Sequence, residues 1–266
     1  PLRRHRAPRH DVDGMTRLQA DSVSEMARDL LPLMMKIRPI SEKARRALSL
    51  LDGWDGTMDR DKPQPLILTA WIAALKRAIF SDELDDLFSS FSGFQTRPIK
   101  QVLTHDPAWC DDRSTEAKES CATILVRSLE TAISELAEKY GEDPAGWRWG
   151  KAHEARFDHS VLGRLPVLGW LFNVRIPADG GSYTVNRGQM NPDDPHAPFA
   201  SIHGAGLRAV YDLSSLEKSR FIIAPGQSGN RLSKHYADMA SVWRDGGFYV
   251  PGVERPVSQL RLEPAS

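Results

Sequence analysis

The residues best suited to nucleophilic catalysis lie in the last quarter of the chain. Asp212, Ser228 and His235 supply the three residue types of a serine hydrolase triad. Ser228 lies in the turn Gly226-Gln227-Ser228-Gly229-Asn230, which has Asn230 where the GxSxG nucleophile elbow requires Gly. The alternative is a tight turn whose Gly residues permit positive φ and whose Ser and Asn bind the backbone. The residue types alone are compatible with both interpretations.

The residues most similar to a metal site are His153, Glu154 and His159. In the zinc pattern HExxH the two His are four residues apart and share one helix face. Here they are six residues apart, so on a helix they would diverge by about 240°. The alternative to zinc is a hydrogen-bonded polar cluster packed under Trp147 and Trp149, and we predict no metal at this position.

A second candidate metal site is an acidic cluster of Asp52, Asp55, Asp59 and Asp61, which surround two Gly residues. This composition suggests calcium, but the cluster lacks the EF-hand spacing of Gly at position six and an acid at position twelve. A solvated turn with capping carboxylates is the favoured interpretation. The sequence predicts no cofactor.

Cys110 and Cys121 are the only cysteines of the chain. Their separation fits neither a zinc knuckle nor a redox CxxC pair. In a reducing compartment they would be independent thiols. In an exported protein they could form a disulfide that closes a small loop and stabilises the fold by on the order of 3 kcal/mol. The spacing leaves both states open.

The elements that position these residues change in character along the chain. Apolar residues at helical spacing predict helices in the first half, and β-branched and aromatic runs predict strands in the second. An α+β fold follows, with a mainly helical segment at 1–141 and Trp/Gly-rich loops, strands and a short helix at 142–266. The predicted helices are 15–31 (broken at Pro39), 41–51, 65–80, 114–140 and 236–244, and the predicted strands are 182–186, 207–213 and 220–224.

Composition and charge exclude several classes of protein. The 266 residues contain 35 basic and 35 acidic side chains, so the chain lacks the positive charge of a nucleic-acid binder. The apolar runs are too short to span a bilayer, and we predict no membrane partner. Residues 1–10 carry four Arg without an apolar core, which is not a signal peptide. They are interpreted as the solvated tail of a chain cut within a longer gene, with a phosphate-binding arm as the alternative.

Several short motifs are spread over most of the chain, and their order along the sequence indicates membership of a family. They are Trp54-Asp55-Gly56 with the Trp71 helix, 147–159, Gly180-Gly181 with Thr184-Val185-Asn186, 203–213, and 226–243 with its Gly-Gln-Ser-Gly-Asn turn. In this order they resemble signatures of the penicillin acylase (penicillin amidase) family of N-terminal-nucleophile hydrolases. The resemblance covers roughly residues 10–255.

The resemblance implies a four-layer αββα sandwich, to which this chain would contribute outer helices and several strands. Such enzymes are exported precursors, periplasmic or secreted, that cleave themselves into an α and a β chain. The Ser that begins the β chain is the nucleophile, and its α-amine, with a pKa near 8, is the base. Backbone N–H groups and an Asn form the oxyanion hole. The substrate is a linear amide, such as the side chain of a penicillin or an N-acyl homoserine lactone, and the products are a carboxylic acid and an amine.

The chain departs from the family at its first residue, which is Pro1 and not Ser. The resemblance therefore implies the C-terminal half of the β chain, with the nucleophile and oxyanion Asn upstream. The partners would be that upstream part and the α chain. Asp212 is a candidate accessory acid, and the Cys pair matches a disulfide of exported members. The predicted supporting residues, which hold loops around the site, are Trp149, His153, Arg156, Gln227, Ser228, Asn230 and His235.

Two other functions compete with this interpretation. One is a non-catalytic, Trp-rich binding domain that derives from such a segment and stands alone. The other is a serine hydrolase that uses Ser228, His235 and Asp212 within this chain. A Ser-led segment upstream of this chain would support the acylase over the binding domain. Substitution of Ser228 would abolish activity only in the serine hydrolase that uses Ser228.

Overall fold

Helices account for the regular structure before residue 141, and strands appear only after it. A computed structural model describes residues 10–251 and residue 261. In this part of the chain, Ala20–Ala205 form one compact unit, and residues 10–19 with 206–251 and 261 form a second. The α+β composition is confirmed. The helices of the first unit are α2 (Glu25–Met34), α3 (Glu42–Leu51), α4 (Gln64–Leu84), α5 (Thr96–Thr104), α6 (Cys121–Tyr140), α7 (Trp149–Ala152) and α8 (Pro166–Phe172); α1 (Val12–Gln19) and α9 (Ala240–Arg244) belong to the second.

The first unit is built around α4, which packs against α6. Between Pro65 and Phe80, all residues of α4 except Arg77 and Ala78 are buried, as expected for a segment that is apolar on almost every face. Pro65 lies in its first turn, where a missing N–H costs nothing. Trp71 is fully buried, and its indole N–H donates to the Leu125 carbonyl of α6 at 3.1 Å. Full burial of each large apolar side chain stabilises the core by about 1.5–3 kcal/mol.

Three antiparallel pairs of strands are present in the described residues. In the first unit, β1 (Glu154–Phe157) pairs with β2 (Val174–Pro177), and α8 lies in the connection between them. Also in this unit, the short β3 (Gly188–Gln189) pairs with β4 (His203–Gly204). In the second unit, β5 (Leu207–Val210) pairs with β6 (Arg220–Ile223). The predicted strands at 207–213 and 220–224 are therefore confirmed in shortened form.

The predicted strand at 182–186 is wrong, because hydrogen bonds of the Thr184 side chain take the place of pairing with a neighbouring strand. The Thr184 hydroxyl accepts from the Gly181 backbone N–H at 3.0 Å and donates to the Asn186 carbonyl at 2.6 Å. A hydroxyl that binds its own neighbours in this way stabilises a turn in place of an extended strand.

Two predicted helix boundaries are also wrong. The first predicted helix is two helices, since Ser24 caps α2 by accepting from the Ala27 N–H at 3.2 Å. The helix predicted from 114 begins at Cys121, where Ser120 is the N-cap. The residues before Cys121 are not helical and make other hydrogen bonds. The Glu119 N–H donates to Asp111, and the Glu119 carboxylate accepts from Arg127. The sequence also gave no sign of α5, whereas the cap at Ser41 and the helix end at Leu51 are confirmed.

Cys110 and Cys121 form a disulfide, with Cα atoms 5.0 Å apart. It joins the 3₁₀ helix Pro107–Cys110 to the first residue of α6. The open choice between free thiols and a disulfide is thus decided in favour of the disulfide. No helix in the described residues has the length and apolar character needed to cross a membrane.

Candidate functional site

The signature around Trp149 forms the centre of a buried cluster in the first unit. Trp149 and His153 lie on and directly after the short helix α7, and both are fully buried. Their rings stack with centroids 4.5 Å apart and an interplanar angle of 10°. The Trp149 indole N–H donates to the Gly180 carbonyl at 3.0 Å. The ring pair thereby connects α7 to the Gly180-Gly181 turn, the next of the sequence signatures.

His153 also holds a second loop. Its Nδ1 lies 2.7 Å from the carbonyl oxygen of Phe199, which can only accept a hydrogen bond, so Nδ1 carries the hydrogen. Burial lowers the pKa of His153 to about 4, and the hydrogen bond to Phe199 only partly opposes this shift. The imidazole is therefore neutral at physiological pH. Its contacts are a hydrogen bond to the Phe199 carbonyl and a stack on the Trp149 ring.

Gly188 is required by the position of the His153 ring. A Cβ atom at Gly188 would lie 2.4 Å from Nε2 of His153 and 3.0 Å from the Ser201 hydroxyl. Nε2 is buried and has no hydrogen-bond partner in the structure. Sequence reasoning missed Gly188, Phe199 and Ser201, since each reaches His153 only through the folded chain.

His159 does not approach a shared metal site with His153. Its Nδ1 accepts from the backbone N–H of Leu162 at 3.2 Å, and its ring packs edge-on against Phe172 at 5.4 Å. Across the described residues, no group of three or more His, Cys, Asp or Glu is arranged to hold a metal ion. The acidic cluster caps turns, since Asp55 accepts from the Thr57 N–H at 2.9 Å and Asp59 from the Asp61 N–H at 2.8 Å.

Arg156 lies on β1 opposite Arg175 of β2, and its backbone N–H donates to the Ser201 carbonyl at 3.1 Å. It therefore connects the β1–β2 pair with the segment that leads into β4. Of the first-unit residues predicted to support a site, Trp149, His153 and Arg156 thus all contact one set of loops, 180–201. That is the geometry of a scaffold that fixes loops, and none of these three groups is arranged as a nucleophile and base.

The Gly226–Asn230 turn lies in the second unit and is closed by backbone contacts. The Ser228 N–H donates to the His235 carbonyl at 3.0 Å, and the Ser228 hydroxyl accepts from the Asn230 N–H at 3.1 Å. A Cβ atom at Gly226 would lie 2.4 Å from the His235 carbonyl oxygen. Gln227 is exposed. The Ser228 and Asn230 contacts are those of the tight turn predicted as the alternative to a nucleophile elbow, but neither Gly226 nor Gly229 has the positive φ expected there.

The Ser228, His235 and Asp212 side chains are engaged by other partners. His235 Nδ1 lies 2.8 Å from the Asp238 carboxylate. Asp212 accepts from the backbone and hydroxyl of Ser214 at 2.9 and 2.6 Å, and these hydrogen bonds lower the pKa of Asp212. In the described part of the chain, no hydrogen bond joins Ser228 Oγ to the His235 ring or that ring to Asp212. The three residues do not assemble a triad here.

This arrangement of helices, paired strands and buried ring clusters has the fold of a penicillin acylase. The thermostable penicillin G acylase from Alcaligenes faecalis superposes with a TM-score of 0.57 at 16% identity, covering 100% of this chain and 52% of that one. The model of the penicillin amidase family matches residues 2–254, and the chain belongs to that family.

Two curated relatives are similar over most of this chain. The acyl-homoserine lactone acylase QuiP of Pseudomonas syringae pv. syringae (strain B728a) is 28% identical over 87% of it, and the penicillin acylase 2 proenzyme of Pseudomonas sp. (strain SE83) is 26% identical over 90%. The matches cover 29% and 30% of those proteins. The chain thus spans about 30% of the length of these relatives, both of which are named as acylases.

Proposed function

We propose that this chain is the C-terminal half of the β chain of a self-processed amidase. The enzyme would cleave a linear amide, the acyl side chain of a penicillin or an N-acyl homoserine lactone, into a carboxylic acid and an amine. The observation that supports this function is the family match over residues 2–254 together with relatives that are acylases of both kinds.

In this proposal the nucleophile lies outside the chain. Among the predicted site residues, no hydroxyl is paired with an imidazole base, because His235 contacts Asp238 and His153 is buried and neutral. A Ser at the start of the β chain would supply the hydroxyl, its α-amine would accept the proton, and upstream backbone N–H groups and an Asn would bind the oxyanion. Asp212 and the Gly226–Asn230 turn would act only by holding loops.

The surface of the chain is compatible with such partners. In the second unit, Leu207 and Tyr211 are largely exposed beside the two-stranded β5–β6 sheet, as is Leu213. Exposed apolar side chains beside a small sheet are typical of a surface that packs against further chain. The upstream part of the β chain and an α chain would cover them and complete a four-layer αββα sandwich. The Cys110–Cys121 disulfide supports an oxidising location, the periplasm or the exterior.

The test is expression of the full-length gene in a periplasmic host, followed by denaturing, non-reducing mass spectrometry. Expected are two chains, the larger beginning with Ser, and hydrolysis of penicillin G or of an N-acyl homoserine lactone. Replacement of that Ser by Ala should abolish both processing and hydrolysis. A single unprocessed 29.7 kDa chain without amidase activity would instead support the stand-alone binding domain.

A further inference from the structure

The connection between β1 and β2 in the first unit exposes a large apolar surface. It contains the 3₁₀ helix Leu162–Arg164 and α8. Its exposed apolar side chains, which we call the α8 surface, are Val161, Leu165, Val167, Trp170 and Leu171. Trp170 is 85% exposed and Val167 is 78% exposed. Single exposed apolar residues are common in proteins, whereas a group of them within residues 161–171 indicates a surface that contacts another molecule.

Hydrogen bonds and close packing hold the backbone beneath the α8 surface. The Asn173 side chain accepts from the His159 N–H at 2.9 Å and donates to the Gly163 carbonyl at 3.2 Å, so it joins the two ends of the connection. A Cβ atom at Gly169 would lie 2.6 Å from the Gly163 carbonyl oxygen, because α8 packs directly against the 3₁₀ helix. The surface is therefore preformed, which lowers the entropic cost of binding a partner.

A groove of about 570 Å³ lies along the 3₁₀ helix, α8 and the start of β2. Leu165 and Trp170 form its apolar wall, and Asn173 and Arg175 provide its polar groups. Nε and Nη2 of Arg175 are each 3.4 Å from the Asp158 carboxylate, whereas Nη1 makes no hydrogen bond to the described residues. A concave site with apolar walls and an available N–H donor fits a polypeptide segment better than it fits a flat lipid surface.

We propose that a segment from the upstream part of the β chain packs on the α8 surface. An apolar side chain of that segment would fill the groove, and a backbone carbonyl or a carboxylate would accept from Nη1 of Arg175. This assignment rests on the proposed function, in which the chain is the C-terminal half of a β chain. The matched parts of the two acylase relatives are only 29% and 30% of their lengths. Most of a protein of that length would lie outside this chain and would provide the segment.

The test is photo-crosslinking of the full-length gene product with p-benzoylphenylalanine in place of Val167, followed by digestion and mass spectrometry. Crosslinks should join residue 167 to peptides encoded upstream of Pro1. The matched control is the same probe in place of Thr131, which is exposed on α6 outside the α8 surface. It should give no crosslinks to those peptides.

A second measurement avoids the bulky probe. In the folded full-length product, Val167→Cys should react with a maleimide at least about tenfold more slowly than Thr131→Cys, because a covered thiol reacts only when the contact opens. Cys110 and Cys121 are joined and do not compete for the reagent. Trp170→Ala removes the largest side chain of the α8 surface and should bring the labelling rate of Val167→Cys close to that of Thr131→Cys.

Equal labelling of Val167→Cys and Thr131→Cys in the full-length product would overturn the proposal. Crosslinks confined to residues 1–266 of another copy would overturn it in favour of a dimer, and protection that requires phosphatidylglycerol vesicles would do so in favour of a lipid surface. Neither readout depends on turnover. Amide hydrolysis with freely labelled Val167→Cys refutes only the docking, whereas upstream crosslinks in a protein without hydrolysis refute only the amidase.

Discussion

The His153 imidazole stacks on the Trp149 indole, with ring centroids 4.5 Å apart, and donates to the Phe199 carbonyl. Together with the bond from the Trp149 indole N–H to the Gly180 carbonyl, this ring pair connects a helix, a turn and a loop that lie far apart in the sequence. A neutral, buried imidazole suits this role, because its N–H satisfies a carbonyl oxygen and its ring fills apolar space.

The first prediction concerns pH. Unfolded His153 titrates near pH 6.5, whereas the folded residue has a pKa of about 4. Between these values the unfolded state binds the extra proton, so stability is full above about pH 6.5 and falls as the pH is lowered toward 4. The loss attributable to His153 is about 3 kcal/mol. Urea denaturation at pH 7, 5.5 and 4.5 measures it.

The variant His153→Gln isolates this contribution, since Gln can donate to Phe199 but does not titrate. Its stability should depend less on pH than that of the wild type over the same range. His196→Gln is the control, because His196 is exposed and should leave the pH dependence unchanged. An equal slope in wild type and His153→Gln would show that His153 does not remain neutral in the folded protein.

The second prediction concerns Gly188, whose added Cβ would lie 2.4 Å from His153 Nε2. The His153 ring has no room to move away from an added Cβ, because it is stacked on the Trp149 ring and both side chains are fully buried. Gly188→Ala should therefore destabilise the protein by about 1–3 kcal/mol. Gly146→Ala is the control, because a Cβ there would meet no atom within 4 Å. Similar urea midpoints for the two variants would contradict the packing argument.

Contacts between residues far apart in the sequence were missed, and local structure was predicted only in part. The Ser41 cap was predictable, because its hydroxyl accepts from the N–H only three residues ahead. The start of α6 was missed, although the Ser120 hydroxyl caps it by accepting from the Thr123 N–H, which also lies three residues ahead. His153 was assigned to a polar cluster under Trp149, but its bond to Phe199 spans 46 residues and leaves no local pattern.

The third prediction uses the Lys76–Asp193 pair, which joins α4 to the segment that follows β3. Lys76 is almost fully buried, whereas Asp193 is partly exposed. Asp193→Asn leaves the buried ammonium without a counter-charge and should cost about 3–5 kcal/mol. Lys76→Met leaves a carboxylate that water can reach, so we expect a loss of less than about 1.5 kcal/mol. Thermal or urea denaturation that ranks the two variants in the opposite order would refute this asymmetry.

The last prediction separates the proposed amidase from a hydrolase that uses Ser228. The Ser228 hydroxyl accepts from the Asn230 N–H at 3.1 Å, and no hydrogen bond joins it to a His ring in the described structure. Ser228→Ala should cost about 0.5–1.5 kcal/mol of stability through the loss of that turn bond. The kcat/KM of the full-length enzyme for an amide substrate should remain near the wild-type value. The Ser that we propose begins the β chain is the matched comparison, since its replacement by Ala should abolish turnover. If Ser228→Ala removed turnover while the protein still folded, the nucleophile would lie in this chain, and the tight-turn role of Ser228 would be wrong.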